Sequence, residues 1–169
     1  MALTYTQLAD HTKNLLDGVS GIGVIYTTPQ DFRDISEIEE KCVSGTPPRL
    51  NVWFISRKKI LNSLRVSDGR PVPLGTGARI HEFLIRGFYG FIPDDEVGTY
   101  LTFQNLLTSI CDEFQGKKQR ASSVDSPMML DTSEISIEGE DKVEFADSII
   151  CHYAEISIVY NELNNVTYL

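Results

Sequence analysis

Arg79-Ile80-His81-Glu82-Phe83-Leu84-Ile85-Arg86-Gly87-Phe88-Tyr89-Gly90-Phe91-Ile92 decides the fold. Read with the two-residue period of a strand, Phe83, Ile85, Tyr89 and Phe91 fall on one side. Ile80, Leu84, Phe88 and Ile92 fall on the other. A strand that is apolar on both faces has to be covered on both faces, so this one belongs at the centre of a sheet. Gly87 and Gly90 interrupt it where a bulge or a close approach of another chain segment is expected.

Working outward, Pro93-Asp94-Asp95-Glu96 opens a long helix. Its first turn is acidic, as the helix dipole favours, and Val97, Tyr100, Leu101, Leu107, Ile110, Cys111 and Phe114 form its expected core face. Gly116 ends it. Residues 116–127 then read as a flexible loop, since Lys117 to Ser123 is polar and without period. Upstream, Leu50 to Arg57 carries Val52-Trp53-Phe54-Ile55 and reads as a strand. Residues 58–78 lose this pattern, and Asp68-Gly69-Arg70-Pro71 and Leu74-Gly75-Thr76-Gly77 are turn chemistry. A long mobile arm or hairpin is expected there.

At the start, Thr4 and Gln7 form a capping box ahead of a helix bearing Leu8, Leu15, Leu16 and Val19. Ile22 to Tyr26 is a short buried strand. A second helix is expected from about Gln30 to Val43, ended by Ser44-Gly45-Thr46-Pro47-Pro48. Two more strands follow the long helix. Met128 to Glu138 alternates loosely and should close on a charged turn, Glu138-Gly139-Glu140-Asp141. In Ser148 to Asn161, Ile150, His152, Ala154, Ile156, Ile158 and Tyr160 share one side. The order predicts a single α+β domain over residues 1–169. Its mixed, mainly antiparallel sheet has four to five strands, with helices packed on one face.

The 169 residues carry a formal charge of -9, which opposes generic adhesion to nucleic acid. The charge is segregated. Arg57, Lys58, Lys59, Arg65, Arg70, Arg79 and Arg86 crowd one segment, and Asp131, Glu134, Glu138, Glu140, Asp141, Glu144 and Asp147 crowd another. The two zones would suit packing of identical subunits side against side, and they equally suit two solvated faces with no partner. The candidate interface residues are Arg57, Lys58, Lys59, Arg65, Arg70 and Arg79, opposed by Glu134, Glu138, Glu140, Asp141 and Glu144. No run of 18 apolar residues occurs, and the start has neither a basic nor an apolar signal region. Cys42, Cys111 and Cys151 are widely spaced and odd in number, as expected of reduced cysteines in a cytoplasm.

No pattern of reactive residues emerges. There is no G-x-S-x-G, the Leu74-Gly75-Thr76-Gly77 stretch lacks the lysine of a phosphate loop, and Gly21-Ile22-Gly23 lacks the third glycine of a dinucleotide fingerprint. Cys151 and His152, as strand neighbours, face opposite ways and cannot share a metal. His152 and Glu155 are separated in the same manner. Neither a catalytic set nor a cofactor is expected, and His81, His152, Glu82 and Glu155 are not expected to converge.

Several stretches together carry a resemblance. They are Gly21-Ile22-Gly23-Val24-Ile25-Tyr26, Val52-Trp53-Phe54-Ile55, Leu84 to Phe91 with its following Asp94-Asp95, Thr102-Phe103-Gln104-Asn105-Leu106-Leu107, and Cys151 to Ile156. From Thr4 to Tyr160 the chain resembles tail terminator or tail-completion proteins of long-tailed bacteriophages and prophages. The resemblance implies a virion protein of the tail or neck, folded in the host bacterial cytoplasm. It implies a ring, a hexamer in this family, that caps the tail tube and stops its polymerisation. The partners it implies are other copies of the chain, the tail tube protein and a head-completion or neck protein. DNA would pass through the lumen without sequence-specific binding, and no catalytic residues are carried over. Two alternatives stay open: a neck, head-completion or baseplate position in the same particle, and a cytoplasmic small-molecule-binding module.

Overall fold

The computed structural model describes residues 3–32, 34–46, 48–63, 66–67, 70–71, 78–115, 118–120, 129–146 and 149–163. Among the described residues three α-helices, α1 (Tyr5–Asp17), α2 (Ile35–Cys42) and α3 (Glu96–Phe114), and a 3-10 turn (Pro93–Asp95) accompany nine strands. The strands are β1 (Val24–Tyr26), β2 (Val43–Ser44), β3 (Arg49–Ser63), β4 (Val66–Ser67), β5 (Arg70–Pro71), β6 (Ala78–Gly90), β7 (Lys118–Arg120), β8 (Met129–Phe145) and β9 (Ile149–Leu163). The main sheet has seven strands in the order β1-β3-β6-β9-β8-β7, with β2 also on β3; β4 and β5 pair separately. Only β1 on β3 is parallel. The fold is α+β with a mainly antiparallel sheet. The strands beyond the expected four to five are the short edge pieces β2 and β7.

The double-sided apolar strand, β6, lies between β3 and β9 at the centre. Its Phe83, Ile85 and Tyr89 join Trp53 and Ile55 of β3 and Ala154, Ile156, Ile158 and Tyr160 of β9 in the larger core. This face is covered by α1 and α3, whose Leu8, Leu16, Phe103, Leu107, Ile110 and Phe114 enter the same cluster. On the opposite face Leu50, Val52, Cys151 and Phe145 form a second cluster, closed at the sheet edge by Ile38 and Cys42 of α2.

The sheet is curled into a half-barrel. In a flat sheet β3 and β8, three places apart, would stand about 14 Å from one another. Yet the Phe54 and Phe145 rings lie 6.3 Å apart, and Lys58 Nζ is 3.1 Å from Glu138 Oε2. The face carrying the second cluster is therefore concave. Bulges between Arg57 and Lys59 in β3, and between Ile137 and Gly139 in β8, add the local bend.

Several boundaries differ from the sequence reading, and α2 is one of them: it starts at Ile35 rather than near Gln30, because the Asp34 side chain caps it by accepting from the Glu37 amide. β3 continues to Ser63 against Ala78–Glu82 of β6, so the first residues of the expected arm, 58–63, are paired strand. The rest of the arm is described only at β4 and β5; 64–65, 68–69 and 72–77 lie outside the described residues. Of the expected 116–127 loop, Lys118–Arg120 pairs with β8, and 116–117 and 121–127 lie outside the described residues. Glu138-Gly139-Glu140-Asp141 is no turn: β8 passes through it, because the bulge absorbs the extra residue while pairing with β9 resumes. The reversal comes at Ala146, whose φ is +51°.

The core face of α3 also differs. Thr99, Phe103, Leu106, Leu107, Ile110 and Phe114 are buried, while Val97, Tyr100 and Leu101 are exposed. At 100° per residue Val97 and Leu101 each lie about 160° from Thr99, on the far side of the helix.

Candidate functional site

The residues of the two charged zones are scattered by the fold. Arg57 turns to the convex side, its guanidinium 5.1 Å from the Tyr5 ring centroid and 5.7 Å from that of Phe83. Its Nε and one terminal nitrogen are buried without a hydrogen-bond partner. Stacking on two aromatic faces offsets part of that loss. Lys58 turns to the concave side and meets Glu82 at 2.9 Å and Glu138 at 3.1 Å. A basic-zone residue and an acidic-zone residue thus join within one chain. Lys59 is exposed at the end of β3, and Arg79 is half-buried opposite Glu162 of β9. Glu134 and Glu144 are exposed on β8. Arg70, Glu140 and Asp141 are described in backbone alone, on β5 and β8, and Arg65 lies outside the described residues.

The concave trough has an aromatic half and an ionic half. Phe32, Phe54, Phe88 and Phe145 form a contiguous set, with Phe88 and Phe145 centroids 4.8 Å apart. With Pro29 and the Arg86 side chain they line a cavity of about 400 Å³. Beyond it Arg86 Nε donates to Glu155 at 3.0 Å. The Tyr153 hydroxyl donates to the same carboxylate, and Ser157 donates to Glu82. The Tyr153 and Arg86 bonds hold Glu155 below the usual carboxylate range. Lys58 does the same to Glu82, and Glu82 with Glu138 raises Lys58. Burial first, then Glu155, pushes Tyr153 up to about 12. Each of these shifts fixes a charge state at neutral pH, so this set suits a static electrostatic surface rather than proton transfer.

His81 and His152 point to the convex side, and Glu82 and Glu155 to the concave one, so the four do not converge. His81 Nε2 lies 2.7 Å from Glu162 Oε2 in a pair almost wholly removed from solvent. The other Glu162 oxygen accepts from the Leu3 amide at 3.2 Å. His152 sits among the rings of Phe91, Tyr100 and Phe103, with Thr99 Oγ1 at 3.4 Å. The three cysteines are free thiols. Burial pushes Cys42 up to about 11 and Cys151 up to about 12, which keeps both protonated and unreactive. Among the described residues no three His, Cys, Asp or Glu side chains gather as a metal ligand set, and no helix is long and apolar enough to cross a membrane.

What the sequence reading missed lies at the two ends of the sheet. Val97, Tyr100 and Leu101 stand exposed on the first turns of α3, and Ile60 and Leu61 stand exposed at the far end of β3. The signal was available in the helix: apolar residues occupy both the 103-107-110-114 row and the 97-101 row, and a helix apolar on two rows has more than one partner. No protein-family model and no curated protein matches the chain.

Proposed function

We propose that this chain is a structural subunit of a long-tailed phage particle, assembling as a ring, a hexamer, that caps the tail tube. The cap ends tube polymerisation and offers the surface on which the head joins, through a head-completion or neck protein. The observation that supports this reading is the distribution of exposed apolar side chains. Val97, Tyr100, Leu101 and Ile150 are exposed at one end of the sheet, Ile60 and Leu61 towards the other, Ile137 midway along β8 and Ile35 on α2, so apolar surface is offered on several sides, as a subunit with more than one neighbour requires. The sequence resemblance supplies the tail. The net charge of -9 suits a lumen through which DNA slides, because like charges repel. A neck or baseplate position in the same particle uses the same physical features.

Negative-stain imaging and light scattering test the proposal, on the protein alone and mixed with assembled tail tubes. Six-fold rings, free or seated on tube ends, are the expected result. A strict monomer that leaves tube length unchanged would overturn the proposal.

The cavity of about 400 Å³ favours one second reading, binding of a small apolar molecule in the concave trough. An environment-sensitive apolar dye titrated against the folded protein tests it. Saturable fluorescence abolished by Phe88→Asp supports the pocket, and no saturable signal removes it.

A further inference from the structure

We infer that the concave trough binds a small aromatic carboxylate, its ring among Phe32, Phe54, Phe88 and Phe145 and its carboxylate on the Arg86 guanidinium. The site deepens the second reading above and rests on the cavity named there.

Size and lining set the body of the ligand. An apolar cavity of about 150 Å³ already takes benzene, so one of about 400 Å³ has room for a body of one or two rings and a head group. The walls offer both edges and faces. Phe54 meets Phe32 and Phe88 at 65° and 79°, and Phe145 is tilted on Phe88 at 58°. An inserted planar ring therefore finds an edge or a face to match on more than one side, where a flexible aliphatic chain would gain contact area alone.

Strand register sets the head group. Arg86 lies in one cross-strand row with Phe54 of β3 and Glu155 of β9. Glu155 holds the guanidinium from the β9 side, through Nε at 3.0 Å, and the Tyr153 hydroxyl closes on the same carboxylate. The cavity lies on the β3 side, against Phe54, Ile55 and Ser56. A guanidinium carries five N–H donors in a planar fork, so engagement at Nε leaves it suited to a second carboxylate on its other edge. Among the described residues that line the cavity Arg86 is the one charged group. The neutral polar groups there are engaged within the chain. The Tyr5 hydroxyl donates to the Thr27 carbonyl at 2.7 Å, Gln30 to the Thr28 hydroxyl at 3.1 Å, and Ser56 to the Leu84 carbonyl at 3.4 Å. The other acids of the trough, Glu82 and Glu138, are held by Lys58 further along the sheet. The matching head group is an anion.

The test compares three probes of one shape, anionic naphthoate, neutral naphthalenemethanol and cationic naphthylmethylamine, by calorimetry on the parent, Arg86→Gln and Phe32→Ala. Naphthoate is expected to bind the parent about tenfold more tightly than the alcohol, as a charge-assisted hydrogen bond provides. Arg86→Gln should remove that margin and leave the affinity for the alcohol unchanged, while Phe32→Ala should weaken both. The comparison on the parent needs no variant, so it decides the head group even if a variant fails to fold. Equal affinity for naphthoate and the alcohol, or tightest binding of the amine, overturns the anionic head group and leaves the apolar pocket standing. A margin for naphthoate that survives Arg86→Gln in a folded variant overturns Arg86 as its partner. Absence of saturable binding by all three probes removes the pocket and this ligand together.

Discussion

At the residue scale, two positions carry most of the physical consequence. Gly87 lies against the Trp53 indole, and a Cβ there would stand 2.2 Å from a ring carbon. The indole cannot move away: it is fully buried, stacks on Phe103, and donates through Nε1 to Asn51 at 2.8 Å. Gly87→Ala should therefore cost at least about 2 kcal/mol through overpacking, read as a lower urea midpoint at unchanged slope. A midpoint equal to the parent's would show that the indole yields. His11 is the second. Burial holds its imidazole below the ordinary value of 6.5, so the folded chain binds fewer protons there than the unfolded one. That stabilisation is present above the unfolded pKa and is lost as the pH falls through about 6.5 and below. In His11→Gln the loss of stability between about pH 7 and 5 should be smaller than in the parent; an identical loss would assign the slope to other groups.

Elements obey local rules where the chain is locally self-sufficient. The Thr4 side chain accepts from the Gln7 amide, and the Gln7 side chain accepts from the Thr4 amide, completing the box read from two residue types. Thr4→Ala should cost about 1 kcal/mol, and amide exchange should quicken in the first turn of α1 ahead of its end. Exchange unchanged across that turn would locate the helix's stability in packing alone. α3 shows the limit of local reading. Its start was legible from Pro93 and the acids after it, and Asp95 indeed accepts from Gly98 at 3.2 Å. Which apolar row faces the sheet was not legible, because both rows are apolar and only the position of β6 and β9 selects Phe103, Leu107 and Ile110. β8 fails in a related way. Gly139 between acids has the composition of a turn, but a long partner strand and the Lys58 contact keep it extended around a bulge.

For the whole molecule, the curl of the sheet is the property that makes a trough. Phe145 closes it, touching rings on β3 and β6 from the far strand β8. Phe145→Ala should cost about 3 kcal/mol and expose the cavity. The measurement is thermal unfolding combined with hydrogen exchange at the β8 and β9 amides. Loss of protection confined to β8 would indicate that the curl, rather than the core under α1 and α3, depends on this ring. A stability equal to the parent's would mean that the ionic half, Lys58 with Glu138, maintains the curl by itself. That outcome is opposed by the exposure of the pair, since half-exposed ion pairs contribute little.

Periodicity, caps and turn chemistry determined the α+β class, the central place of the Arg79–Ile92 strand, the first helix and the wide separation of reactive residue types. Each depends on side chains a few positions apart, whose relation the backbone alone sets. Only the tertiary structure decided which row of α3 is buried, that Arg57 stacks on Tyr5 and Phe83, and that Lys58 meets Glu138 across the trough. It also decided that Val97 and Leu101 are exposed on α3 and Ile60 and Leu61 on β3. Those relations join residues far apart in the chain, and the curl of the sheet that brings them together comes from all the strands in concert.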